Sequence, residues 1–315
     1  MHPAFSVIFL TTLIGAGQGL FLALYVSEVF GLVTPPAKSF YVFGSLFALA
    51  LLLGGLFASF FHLGRPERAW RSAAMWKTSW LSREVIALPL TMLLMFIYTL
   101  AHYFDYTMAN DSNLSLIIGG FGAVSVFGLF ICTGMVYACI KFLQEWASPW
   151  TVINYTLLGG TSGFTLATVH AAQYAPQAIR ILGLTAIVLT LIALVTRVLS
   201  LLRNANIKPR ANIQSAIGVR HSKISQQTVG FMGGSFNTRE FFHRASPTIF
   251  KSIKWLFLIL VFPLTIILLL AGLSTNIQGW LIAAFVVQYL GLIAERWFFF
   301  AQANHPQNLY YQVIG

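Results

Sequence analysis

The densest group of residues able to do chemistry is Phe61-His62-Leu63-Gly64-Arg65-Pro66-Glu67-Arg68-Ala69-Trp70, followed closely by Ser82-Arg83-Glu84. Histidine exchanges protons near neutral pH. A carboxylate at the edge of a hydrocarbon layer is costly and is a functional candidate by default. Together, His62 and Glu84 offer a hydrogen-bond donor and a proton path to water. A quinone, which takes two electrons and two protons on reduction, needs both. Arg65 and Arg68 stand beside them as cations that could orient a polar ligand. A plainer reading competes. A histidine ending one helix and a glutamate starting the next each interact well with helix dipoles, and the arginines could simply meet lipid headgroups.

Other polar residues sit inside apolar runs. His102 and His170 fall late in two different runs, so they approach one side of a bilayer at similar depth. Such a pair could ligate a b-type haem, although interfacial histidines bonded to backbone or water are the favoured reading. Gln18, Glu28 and Gln288 are expected to bond across helices, and Glu295-Arg296 to form an internal pair. Cys132 and Cys139 are two turns apart and are expected to be small buried hydrophobes. No metal site is expected: there is no cysteine cluster, zinc motif or glycine-rich phosphate loop.

The elements that carry these residues follow from composition. The chain is 57% hydrophobic and 9% charged, where a soluble domain carries about 25% charged residues. So few charges cannot cover a water-soluble surface, and the chain needs an apolar solvent. Runs of about 20 apolar residues lie near 4–33, 39–61, 83–104, 114–138, 150–173, 178–202, 252–273 and 277–300. They are continuous rather than alternating, which predicts helices. The expected fold is an all-α polytopic bundle of about eight spans, one transmembrane domain over 1–315. Ser82 is expected to cap the third helix. The first run is too long for a signal peptide and is expected to be a retained span. Gly15 with Gly19, and Gly159 with Gly163, carry the four-residue spacing that lets helices approach closely.

The formal net charge is +11, but the basic residues cluster in a few loops rather than on a nucleic-acid-binding face. Arg65, Arg68, Arg71, Lys77, Arg83, Lys141, Arg203 and the cations of 204–250 share the side of the N-terminus, while Lys38 and Arg180 oppose them. The positive-inside rule makes the basic side cytoplasmic, with both termini there. Seven of the eight tryptophans fall on that side too, Trp280 alone opposing them, which marks a contact surface. Residues 204–250 form one long polar segment with no evident element of its own, expected to dock a soluble partner.

His62 to Trp70 with Leu81-Ser82-Arg83-Glu84, and Leu166-Ala167-Thr168-Val169-His170, resemble the membrane anchor subunit of the dimethyl sulfoxide reductase family. The resemblance implies a quinone-binding anchor in the bacterial inner membrane. It also implies a partner with a molybdopterin guanine dinucleotide cofactor and a second with several [4Fe–4S] clusters. In that family the positions of His62 and Glu84 are tied to quinone binding. Gly233 to Phe242, and Glu295-Arg296-Trp297 through His305 to Tyr311, look like the anchor of cytoplasmic sulfite dehydrogenase complexes, which reduce quinone, ubiquinone or menaquinone. The alternatives are an anchor of a dimethyl sulfoxide or polysulfide reductase type complex oxidising quinol, or an anion transporter.

Overall fold

The computed structural model describes residues 1–34, 37–107, 112–208, 212–225 and 245–306. Among these the chain is helical and has no strand. The helices are α1 (Phe5–Val29), α2 (Lys38–Ser59), α3 (Trp80–Tyr103), α4 (Leu114–Ala138), α5 (Pro149–Tyr174), α6 (Ile179–Ala205), the short α7 (Ile213–Ile217), α8 (Pro247–Thr275) and α9 (Gln278–Ala301). Seven of them are long and apolar enough to cross a membrane. The expected fifth span, α5, is as long but is not apolar enough to be counted with them. Its sequence holds Thr, Ser, Gly and Asn on faces that other helices cover.

Polar caps set the boundaries. The third helix starts at Trp80 rather than near 83, and Ser79, not Ser82, is its cap, accepting from the Ser82 amide at 3.4 Å. Ser82 is buried inside the helix. Ser148 and Ser246 cap α5 and α8, each followed by a proline whose missing N–H costs nothing there. The seventh expected run therefore begins at Pro247 rather than near 252. The 204–250 segment is shortened at both ends and is not featureless: Asn212 and Ser215 form a reciprocal capping box that starts α7. Its Gly- and Phe-rich part, 230–242, lies outside the described residues, as do residues 307–311 of the tail motif.

Inside α8, Pro263 cannot donate a helical hydrogen bond, and residues Leu260–Leu264 widen into a π turn. The Thr265 hydroxyl donates to the Leu260 carbonyl at 2.8 Å and satisfies one freed group. Gly291 of α9 lets that helix pack against the widened turn: a Cβ there would lie 2.9 Å from the Val261 amide nitrogen.

The core is built around α1 and α5. The two expected small-residue motifs face each other. A Cβ on Gly19 would fall 2.3 Å from the Gly159 carbonyl oxygen, and one on Gly163 would fall 2.0 Å from the Gly19 carbonyl carbon. Backbones meet here at a distance only glycine allows.

One end of the bundle is tied together by long-range bonds. The Met1 amine donates to the Ala303 carbonyl at 2.9 Å, and Trp146 Nε1 donates to the Phe299 carbonyl at 2.9 Å. Arg203 donates to the Gln144 carbonyl at 2.9 Å. The start of α1, the α4–α5 connection, the end of α6 and the end of α9 are thus neighbours. Trp146 is a core residue there, not part of a surface belt. The opposite end carries the exposed Lys38–Asp105 pair at 2.8 Å.

Candidate functional site

His62 ends a 3-10 turn, Phe60–His62, that continues α2 past the apolar span. Its ring is exposed, and it makes no hydrogen bond or ion pair among the described residues. Enough chain surrounds it that desolvation lowers its pKa below the ordinary imidazole value.

Pro66–Met75 follows as a second 3-10 segment with no buried residue. Arg65 precedes it, and its carbonyl accepts the Arg68 amide at 3.0 Å. Arg68 lies 3.9 Å from Glu67 in an exposed pair that contributes little to stability. Trp70 and Trp76 are exposed, and Arg71 and Lys77 lie over their rings at 5.5 and 5.8 Å. The result is an outward-facing strip of cations and indoles.

Glu84 is the fifth residue of α3, and its side chain turns into the bundle rather than toward the boundary. The Thr133 hydroxyl of α4 donates to Glu84 Oε1 at 2.6 Å. His62 and Glu84 therefore lie at the two ends of the connection over residues 63–79, but no hydrogen bond or ion pair joins them. Arg83, beside Glu84, faces out, donating to the Trp76 and Lys77 carbonyls at 2.9 and 2.8 Å. Thr133 escaped sequence reasoning because a threonine in an apolar run gives no signal until its neighbour helix is known.

His102 and His170 are each engaged by protein. His102 Nε2 lies 3.3 Å from Glu28 Oε2, and its ring stacks on Tyr41 at 4.3 Å. Tyr98 donates to Glu28 at 2.7 Å, and Ser115 also donates to that carboxylate. His170 Nε2 meets the Phe40 carbonyl at 2.8 Å, with its ring against Phe40. The buried neighbours Phe40 and Tyr41 each occupy the face of one imidazole. This arrangement does not fit a haem held between the two histidines.

The expected cross-helix bonds of Gln18 and Gln288 form, to the Val126 carbonyl at 3.5 Å and the Thr161 hydroxyl at 3.4 Å. The Glu295–Arg296 pair forms at 2.6 Å and is joined by Arg197 of α6, 2.8 Å from the other carboxylate oxygen. All three are buried. Sequence reasoning missed Arg197, although a cation deep in an apolar run is a visible signal. Cys132 is half-buried, and Cys139, expected to be buried, is exposed. Among the described residues, no group of three or more His, Cys, Asp or Glu could hold a metal ion.

The sequence matches a family model for the DMSO reductase anchor subunit (DmsC) over residues 1–311. It is also similar to the C subunit of the sulfite dehydrogenase of Allochromatium vinosum, with 49% identity over 325 residues that cover all of both chains. A helical membrane bundle that presents a basic strip at one end, and matches that model over residues 1–311, belongs to the DMSO reductase anchor subunit family.

Proposed function

We propose that this anchor holds a sulfite-oxidising complex at the bacterial inner membrane and passes its electrons to quinone. The observation that carries the reading is the full-length 49% identity to a sulfite dehydrogenase subunit. The family match also favours it over an anion transporter. In this reading, molybdopterin and the [4Fe–4S] clusters belong to partner subunits, which dock on the Pro66–Met75 strip and the connection between α6 and α8. That basic end faces the cytoplasm, as its excess of Lys and Arg favours.

Eight crossings fit better than seven. The Met1 amine bonds the Ala303 carbonyl, and a chain that returns to the end where it began supports an even number. α5 is the eighth crossing. It tolerates its threonines and serines because α1, α4, α6 and α9 surround it, and those hydroxyls bond carbonyls one turn back in the helix.

Quinone reaches the site laterally from lipid. His62, neutral at pH 7, hydrogen-bonds a quinone carbonyl. Glu84, held through Thr133, relays protons, and Arg65 orients the pair. Two electrons from the partner and two protons from the cytoplasmic side complete the reduction to quinol.

The test uses His62→Ala and Glu84→Gln in the assembled complex. Sulfite-dependent quinone reduction should fall at least about a hundredfold, as for loss of a general acid–base group, while sulfite-dependent reduction of a soluble dye survives. Normal quinone turnover in both variants removes the site assignment.

A further inference from the structure

The buried group Arg197–Glu295–Arg296 carries two guanidiniums against one carboxylate. Arg197 Nη2 lies 2.8 Å from Glu295 Oε1, and Arg296 Nε lies 2.6 Å from Glu295 Oε2. Their exposures are 2%, 0% and 4%. One positive charge is left over inside a bundle that lipid surrounds, where an uncompensated charge is strongly unfavourable. Arg296 lies 3.9 Å from the centroid of the Tyr155 ring, and Arg197 lies 5.5 Å from that of Phe257. Ring faces attract a cation but do not neutralise it.

Among the described residues, Arg296 Nη1 has no hydrogen-bond acceptor. The same side chain lines a cavity of about 20 Å³ together with Gln18, Tyr155, Ser162 and Thr133. That volume holds a water, and the lining supplies the polar partners a water needs. Thr133 is also the residue that donates to Glu84 Oε1. The cavity is thus lined both by the surplus cation and by the threonine whose hydroxyl holds a carboxylate. Tyr137 and Tyr155, stacked at 5.6 Å, lie within the electrostatic reach of both Glu84 and Arg296. Cys132 lies within reach of Glu84 and Arg83. Arg83 bonds the Trp76 and Lys77 carbonyls on the outer side, and so does not serve as Glu84's partner.

We propose that Glu84 is the counter-charge of the buried Arg197–Glu295–Arg296 group, linked to Arg296 by Thr133 and cavity water, so that Arg296 is a positioning residue for Glu84. Two guanidiniums and two carboxylates then make a neutral set. A proton taken up by Glu84 leaves a net positive charge in the core, and its onward transfer restores balance. Glu84 thereby favours passing a proton on over storing it. The role in turnover rests on the quinone reading above, but the charge pairing does not.

The test is a double-substitution cycle in the full-length chain within its complex. Glu84→Gln alone leaves the set at +1, and Arg296→Gln alone leaves it at −1. Each should lower the thermal midpoint. The double variant, neutral again, should recover most of that loss, and Arg296→Lys, which keeps the charge, should stay near the parent. Infrared spectroscopy supplies a second readout. A protonated-carboxyl band that Glu84→Gln removes should be absent from the parent at neutral pH and present in Arg296→Gln. Additive losses in the double variant, or no such band in Arg296→Gln, overturn the proposal. Normal quinone turnover in Glu84→Gln would instead remove only the site assignment, leaving the cycle readable.

Discussion

At the scale of single residues, His62 shows how a position at the membrane edge sets chemistry. Its depressed pKa means the fold favours the neutral ring. A lowered value makes protonation unfavourable in the folded state, so the effect is felt as pH falls through and below the ordinary imidazole value of about 6.5. Quinone reduction should therefore be flat near pH 7 and gain an acid limb below about 6.5. His62→Gln should lose that limb in a pH profile of its residual activity; an unchanged limb would assign it to another group. That His62 and Glu84 lie where apolar runs meet a polar connection was legible in the sequence, because an ionisable residue next to an apolar run stands out. The direction of Glu84 was not. Whether a side chain at the start of a helix looks out or in depends on the neighbour across from it, here Thr133. The same holds for Glu28. Its placement in an apolar run announced a cross-helix bond, but its partners Tyr98, Ser115 and His102 come from two other helices.

At the scale of helices, length and apolar continuity gave nearly every element, and the misjudged boundaries have a common cause. Helices α3 and α8 begin before their apolar stretches do, since a cap needs a serine and not a hydrophobe. The π turn in α8 had a visible signal in Pro263, but the compensating bond from Thr265 depends on local geometry. The four-residue glycine spacing was legible as well, though not which motif met which. Because Gly163 would place a Cβ 2.0 Å from the Gly19 backbone, Gly163→Ala must push α5 away from α1. Overpacking of this kind costs about 1–3 kcal/mol or more. A marked drop in thermal midpoint and in yield of folded protein is expected. Gly160→Ala, where an added Cβ meets no atom within 4 Å, is the control and should change neither. Equal effects at the two positions would mean that helix propensity, not backbone contact, decides.

At the scale of the whole molecule, the asymmetry of charge that the sequence displays becomes a surface. The Pro66–Met75 strip buries nothing of its own, so its Arg and Trp side chains are available to a partner or to headgroups. Replacing Arg68 and Arg71 together by Glu should reduce co-purification of the catalytic subunits severalfold while the anchor's own amount in the membrane is unchanged. Full co-purification would move the docking surface elsewhere. A cysteine placed at Ser215 in α7 should react with an impermeant reagent only from the cytoplasmic side, and labelling from outside would invert the topology.

The make-up of α5 has a consequence for biogenesis. A segment rich in hydroxyl and glycine residues partitions poorly into lipid by itself, so the insertion machinery would release it reluctantly. On the proposed eight-crossing reading, its entry would then wait on company, with α4 before it and α6 behind it drawing it across as a group. Adding one charge in the middle of α5 should therefore do more than weaken a contact. It should leave α5 outside the bilayer, reverse every later segment and carry the end of α9 to the wrong compartment.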